Sequence, residues 1–401
     1  MSNLPPGLRN ARILAICQGL YIAAISIDLT LTALTGQMLA PYPALATLPF
    51  ALITVAGAAV TWYASLLMQR IGRRAGFVLG SLAGAAGGLI SVAAVYTSDF
   101  WLFCLGTALV GVFQAFAQYY RLAAADAVPA EAKSRAISVV LTGGVIAAIA
   151  GPALAAWAKD LFPAATFAGA YLMVALLGLA SALLLIAYRD QDGFPAAETQ
   201  AGGLPARPLG VVMRQPIFVA ALANNVVGSV SMMFVMTAAP LAAVACQHSI
   251  ADGASIMQWH LVGMYAPAFF AGALINRLGL PRVLGMGMAL NAACSLIAMQ
   301  STSLAAFHAA LFCLGVGWNF MFVGGTTLLA QSYRPAERAR VQGAAEMLRY
   351  ATTALATLAA GPALQRMGWE TLNAAMLPIV GLAAVMTGWW ALSRRAGQVA
   401  A

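Results

Sequence analysis

Only 12 of the 401 residues are Asp or Glu, and one of them, Asp28, stands deep inside an uninterrupted apolar run. It lies about 15 residues into that run, roughly 22 Å from its start at helical rise. Gln18, Tyr21, Asp28 and Thr32 fall at steps of three, seven and four, with Ile25 in the gap. They therefore share one helix face, and no basic residue shares it with them. An ionisable group in apolar surroundings is expensive to keep and is by default functional. Asp28 is expected to take up and release a proton; the alternative is a structural acid hydrogen-bonded to a neighbouring helix.

A second pair, Glu346 and Arg349, is three residues apart on one helical face, with Tyr350 beside it. Either the two neutralise each other locally, or Arg349 engages an anionic group and Glu346 joins Asp28 in proton traffic. Other apolar runs carry single-face polar stripes: Thr107, Gln114, Gln118 and Arg121; Asn224, Asn225 and Ser229; His308, Asn319 and Thr326. Such stripes line a wet pathway or serve as hydrogen-bonding glue between helices. Arg121, near the end of its run, is a cavity residue or a boundary anchor. His260, beside Trp259, is a packed hydrogen-bonding residue or a relay. Trp318, Phe320 and Phe322, with Met232, Met233 and Met236, line an apolar pocket or simply pack.

Enzymatic chemistry finds little footing. No GxxxxGK phosphate loop occurs, and three histidines offer no Ser/His/Asp arrangement. The five cysteines are odd in number, lie in or beside apolar runs and show no CxxC spacing. No disulfide frame, metal or cofactor is expected.

The elements that hold these residues follow from composition. The chain is 62% hydrophobic and 8% charged, against about one quarter charged for a soluble domain. Its solvent must be lipid, where backbone groups need internal partners and only helices or closed barrels suffice. The apolar runs reach about 20 residues, the length of a membrane-crossing helix, and lack the short alternating segments of a barrel. Twelve spans are predicted near 13–38, 44–68, 75–97, 100–124, 136–158, 166–188, 217–245, 254–275, 283–301, 303–330, 341–364 and 373–393. The first run is long enough to remain as an anchor rather than a cleaved leader. The polar interval 189–216 carries Pro195, Gly202, Gly203, Pro205 and Pro208 and reads as a linker between bundles 1–188 and 217–401. Within it, Pro208–Gln215 is expected as coil, with a short surface helix as the alternative.

The net charge of +9 is not spread as a nucleic-acid binder's would be. Arg9, Arg12, Arg70, Arg73, Arg74, Lys133, Arg135, Arg189, Arg207, Arg214, Arg277, Arg282, Arg334, Arg338, Arg340, Arg394 and Arg395 all fall on one side when the runs are threaded alternately. The other side holds little beyond Lys159 and Arg366. That asymmetry is the positive-inside rule and places both termini in the cytoplasm of an inner-membrane protein. The expected partners are lipid, protons and a small-molecule substrate, with no nucleic acid and a monomeric chain.

Three short motifs recur in order. Ser65–Arg74, ending Arg70-Ile71-Gly72-Arg73-Arg74, returns 207 residues on as Gly272–Arg282, with Arg277-Leu278-Gly279. Pro129-Ala130-Glu131 returns as Pro335-Ala336-Glu337, and Gly151-Pro152-Ala153-Leu154 as Gly361-Pro362-Ala363-Leu364. A parallel six-plus-six repeat is how one large transporter fold is built. The basic loops resemble the signature loops of the major facilitator superfamily, with Gln69 and Asn276 where the usual pattern has Asp and Ser65 where the first copy's Gly would stand. Gly151-Pro152 resembles that family's antiporter motif, with Ala155 and Ala156 near its expected Gly pair.

The resemblance implies an all-α fold of twelve transmembrane helices in two six-helix bundles and transport by rocking alternating access, not catalysis. It implies that the first, fourth, seventh and tenth helices line the cavity, so Gln18, Tyr21, Gln114, Gln118, Arg121, Asn224, Asn225, His260, Trp318, Asn319, Arg349 and Tyr350 become substrate candidates. Asp28 and Glu346 become proton-coupling candidates. Arg70, Gly72, Arg73, Arg277 and Gly279 form a latch, with Arg73 pairing with Asp126. Gly151, Pro152, Gly361 and Pro362 form hinges. Proton-coupled efflux of a small organic solute is expected, with proton-symport uptake of a small metabolite, anionic if Arg121 and Arg349 engage it, or a non-transporting sensor, as alternatives.

Overall fold

The computed structural model describes residues 6–126, 133–189 and 206–399, and every regular element among them is a helix. The motif Pro129-Ala130-Glu131 and most of the linker lie outside the described residues, as do the side chains of Gln69 and Asp126. The chain forms two compact units: Met1–Ala196 with Gln247–Gln258, and Ala197–Cys246 with Trp259–Ala401.

The first unit is built from α1 (Pro6–Leu39), α2 (Leu48–Ile71), α3 (Arg73–Thr97), α4 (Phe100–Ala117), α5 (Tyr120–Asp126), α6 (Lys133–Ala158) and α7 (Ala168–Leu185). Here α1 packs chiefly on α6 and also on α7, α3 lies between α4 and α7, and α2 runs along α4. The α1–α6 approach depends on small residues, since a Cβ at Gly143 would overlap the Ala15 carbonyl and one at Gly151 the Ser26 Cβ. Asp99 starts α4 by accepting from the Trp101 and Leu102 amides at 2.9 and 3.0 Å.

The rest of the chain comprises α8 (Leu209–Met213), α9 (Pro216–Ala245), α10 (Ile250–Tyr265), α11 (Ala268–Leu278), α12 (Leu280–Gln300), α13 (Leu304–Ser332), α14 (Arg338–Ala374) and α15 (Met376–Val399), all in the second unit except α10 up to Gln258, which belongs to the first. Helix α9 packs against α13, α14 and α15, and α12 against α13. Phe218, Leu284, Met321, Leu328 and Trp390 are among the residues that close the core.

Among the described residues nine helices are long and apolar enough to cross a membrane, and ten spans result when α10 and α11 count as one. Helix α6 adds a shorter apolar stretch, Thr142–Ala158. Helix α14 is less apolar than the others and carries Arg338, Arg340, Glu346 and Arg349 in its N-terminal third. The chain is an all-α membrane protein.

Four expectations need refinement. The span expected at 254–275 is two helices bent by 45°. Pro267 stands at the break, where it can neither donate to the helix nor fit beneath the preceding turn. The span expected at 100–124 loosens at Gln118–Tyr119, where the Tyr119 amide turns to the Phe116 carbonyl at 3.1 Å, though no proline or glycine stands there. Helix α14 runs past the expected end at 364 and contains a non-helical residue, Gly368, at φ 75°. The segment 208–215 is a helical turn rather than coil, because Val212 is buried in the core of the second unit.

Candidate functional site

Asp28 has no solvent exposure. Its Oδ1 accepts from the Thr32 hydroxyl one turn later at 3.0 Å, and its Oδ2 has no partner among the described residues. From α7, the Tyr171 hydroxyl reaches Thr35 at 3.0 Å and Thr32 at 3.4 Å. The carboxyl therefore sits at one end of a hydroxyl chain, Asp28–Thr32–Tyr171–Thr35, with no cation in it. Tyr171 had no signal in the sequence, being one ring in an otherwise apolar run.

Two turns before Asp28 on the same helix, Gln18 and Tyr21 meet Ala117, Gln118 and Arg121 around a polar recess of ≈ 50 Å³. That is room for about one or two waters. The recess forms where α4 gives way to α5, so the loosening of the backbone delivers Gln118 and Arg121 to it. Tyr21 is also packed edge-on against Phe113, ring centroids 5.3 Å apart. Gln114 is not part of the recess: its side chain lies against Gly57 of α2.

In the second unit Arg349 donates to Glu346 Oε2 from Nε at 3.0 Å and from Nη2 at 2.6 Å. Its guanidinium also lies over the Tyr350 ring at 4.3 Å and the Phe322 ring at 5.6 Å. Phe322 is in turn stacked on Trp318, centroids 5.0 Å apart and planes 13° apart. The Trp318 indole N–H has no hydrogen-bond partner among the described residues. The one-turn spacing Trp318–Phe322 on α13 and the three-residue spacing Glu346–Arg349 on α14 bring these groups together.

Several polar candidates bind their helix neighbours. Asn224 donates to the Ala220 carbonyl at 2.9 Å and to Thr387 of α15 at 2.8 Å. Asn319 donates to the Met264 carbonyl of α10 at 2.7 Å. His260 Nδ1 lies 2.7 Å from the Leu311 carbonyl of α13. Asn225 is buried with its Oδ1 beside Gly325 and without a hydrogen-bond partner among the described residues. Asn224, Asn319 and His260 thus tie helices of one unit together.

The basic turns have the geometry that glycine alone tolerates. Gly72 adopts φ 85°, ψ 157° and Gly279 φ 83°, ψ 150°. Arg282 donates to the Leu278 carbonyl at 3.3 Å, capping the end of α11. Arg70 and Arg277 are exposed. Arg73 opens α3, and its expected partner, the Asp126 side chain, lies outside the described residues. Pro152 and Pro362 sit inside α6 and α14, each following its glycine.

One cluster was not among the candidate site residues. Glu337, 2% exposed, accepts from the Arg207 amide at 2.7 Å, Nε at 2.8 Å and Nη2 at 2.7 Å, and from the Arg334 amide at 2.9 Å. Arg207 Nη2 also donates to the Ser332 carbonyl at 3.2 Å. These bonds hold the Glu337 carboxyl well below the usual carboxylate range. The signal was the repeated Pro-Ala-Glu, which marks the acid but not its partner 130 residues away.

Comparison with known proteins places this geometry. The family model of the Major Facilitator Superfamily matches residues 14–257 and 226–400. The riboflavin transporter RfnT of Brucella anthropi is 40% identical over 387 residues, 96% of each chain. An uncharacterized MFS-type transporter of Bacillus subtilis, YdeG, is 28% identical over 85% of this chain and 82% of its own. In fold, the chain is similar to a bacterial homolog of the human lysosomal transporter Spinster, in an inward-facing and unoccupied conformation, with TM-score 0.70, 14% identity and 98% of each chain covered. With a family match along nearly the whole chain and a transporter relative of the same length, this protein belongs to the major facilitator superfamily and is a membrane transporter, not an enzyme.

Proposed function

We propose that the protein carries riboflavin, or a solute with the same planar heteroaromatic ring and polyol tail, across the cytoplasmic membrane by alternating access coupled to protons. The observation that carries this reading is the 40% identity to a riboflavin transporter over 96% of both chains. The stacked Trp318 and Phe322 beside Arg349 support it, because flat aromatic faces and a guanidinium plane suit a conjugated ring. A proton site at Asp28 is supported by a fully buried acid with one hydroxyl donor and no cation in its hydrogen-bonded chain.

In this reading Gln18, Tyr21, Gln118 and Arg121 offer hydrogen-bonding groups to a polar solute. The turns at Gly72 and Gly279, with Arg70, Arg73, Asp126 and Arg277, latch one access state, and Gly151-Pro152 and Gly361-Pro362 act as hinges. The positive-inside pattern supports a reading with both termini in the cytoplasm, and the proposed working unit is one chain. Export by antiport and uptake by symport use the same groups and differ in which pH gradient drives flux.

The test is the purified protein in liposomes, with radiolabelled riboflavin outside and a pH gradient imposed in either direction. Saturable riboflavin flux driven by one gradient is expected. Binding without flux sinks the transport reading for this solute, and absence of both removes riboflavin. Asp28→Asn is expected to keep riboflavin counterflow at equal pH while losing gradient-driven accumulation; full coupling in this variant removes Asp28 as the proton carrier.

A further inference from the structure

Trp318, Phe322, Arg349 and Tyr350 form a ladder in which an aromatic pair meets a guanidinium that lies over a further ring. A guanidinium in such a ladder has two uses: its plane stacks on flat rings, and its charge draws anions, phosphate above all. Here the second use is already opposed. Both hydrogen bonds from Arg349 to Glu346 end on one oxygen, at 3.0 and 2.6 Å, which leaves the other carboxylate oxygen unengaged by the guanidinium. The Arg349 side chain is 15% exposed and that of Glu346 45%, so the acid is the more accessible member of the pair.

Resting on the riboflavin reading, we infer that Glu346 restricts this ladder to uncharged planar heterocycles and rejects their phosphate esters. Riboflavin is neutral, with ring carbonyls that accept and a ring N–H that donates. Arg349 keeps donors beyond the two engaged by Glu346 and can serve the carbonyls without taking up a charge. A phosphate ester adds negative charge that the paired guanidinium no longer attracts and the accessible carboxylate repels. A repulsive element of this kind sets specificity where attraction alone would not.

A structural ion pair would make a different prediction. If Glu346 only tethered Arg349, its loss would weaken every flavin alike. As a charge filter, its loss changes the ranking of ligands.

The experiment measures inhibition of radiolabelled riboflavin flux in proteoliposomes by lumiflavin, which keeps the neutral ring, and by riboflavin 5′-phosphate. In the wild type, lumiflavin should compete and the phosphate should not. In Glu346→Gln, the phosphate should compete at about tenfold lower concentration or less than it needs against the wild type, with the riboflavin KM within about threefold. In Glu346→Gln/Arg349→Gln, which removes both the repelling and the attracting charge, inhibition by the phosphate should fall between that of the wild type and that of Glu346→Gln. An unchanged ratio of phosphate to lumiflavin inhibition in Glu346→Gln overturns the inference while leaving riboflavin transport standing. A wild type that moves no riboflavin overturns the reading on which it rests. If Glu346→Gln elutes as aggregate, Glu346→Asp serves: its shorter side chain withdraws the carboxylate, so partial relaxation supports the filter and an unchanged ratio ends it.

Discussion

Asp28 and Tyr171 show how differently two buried polar groups on one chain of hydroxyls can matter. The carboxyl has a single donor, Thr32, and an Oδ2 with no partner among the described residues. Tyr171 approaches it only through Thr32, and its main bond goes to Thr35 at 3.0 Å. Removing that hydroxyl deletes one ordinary buried hydrogen bond and keeps the ring, which is packed edge-on against Phe103 at 5.1 Å. Tyr171→Phe should therefore cost about 1 kcal/mol of stability and leave transport driven by pH intact. Thermal unfolding in detergent with a gradient-driven flux assay checks this pair of outcomes. Loss of drive in Tyr171→Phe would promote the tyrosine from support to participant.

At the scale of elements, the tight turns and the close helix pair carry the sharpest constraints. Gly72 and Gly279 occupy a backbone region that is essentially glycine's alone. Gly72→Ala and Gly279→Ala should each cost about 1–3 kcal/mol, although both turns are exposed or half-exposed and Gly279 has room for a methyl group. Strain rather than crowding is the cause, so a larger side chain should be little worse than alanine. Equal stability of the alanine variants by thermal unfolding would deny the observed turn geometry. The α1–α6 pair behaves in the opposite way. A methyl at 151 meets the Ser26 Cβ, so Gly151→Ala should destabilise by crowding, and Ser26→Gly should recover part of that loss in the double variant. Strict additivity would show that the helices separate freely there.

For the whole molecule, Glu337 joins segments far apart in sequence, since Arg207 lies in the polar interval 189–216 and Glu337 precedes α14. Its carboxyl is held below the usual range chiefly by the Arg207 side chain, with the Arg334 and Arg207 amides adding to it. A depressed folded-state pKa means the native chain binds fewer protons than the unfolded one. The resulting stability is complete above the unfolded value of about 4.3 and is lost as pH falls through the folded value. The wild type should thus lose thermal stability on acidification below that range, and Glu337→Gln should show a flatter acid limb. Parallel acid limbs, followed by scanning fluorimetry from neutral pH downward, would place the acid sensitivity elsewhere. Arg207→Gln should lower stability at neutral pH as well, because it removes two side-chain donors and leaves the acid with backbone amides.

The sequence by itself determined the solvent, the secondary structure and the family. A chain with 62% hydrophobic and 8% charged residues must satisfy its backbone within lipid, and apolar runs of about 20 residues do so as helices rather than as barrel strands. It also marked the special residues: an acid within an apolar run, two glycines in basic turns, a Glu–Arg pair three residues apart. Each is a local property, readable from type and spacing along one helix. What spacing cannot supply is the partner across the gap. Asn224 shares a helix face with other polar residues, yet its side chain goes to Thr387 of α15, 163 residues on. The ring stack on Arg349, the Tyr171 hydroxyl near Asp28 and the grip of Glu337 on Arg207 were decided by packing between distant segments. Helical periodicity states which way a side chain points from its own axis; only the tertiary structure states what stands there to meet it.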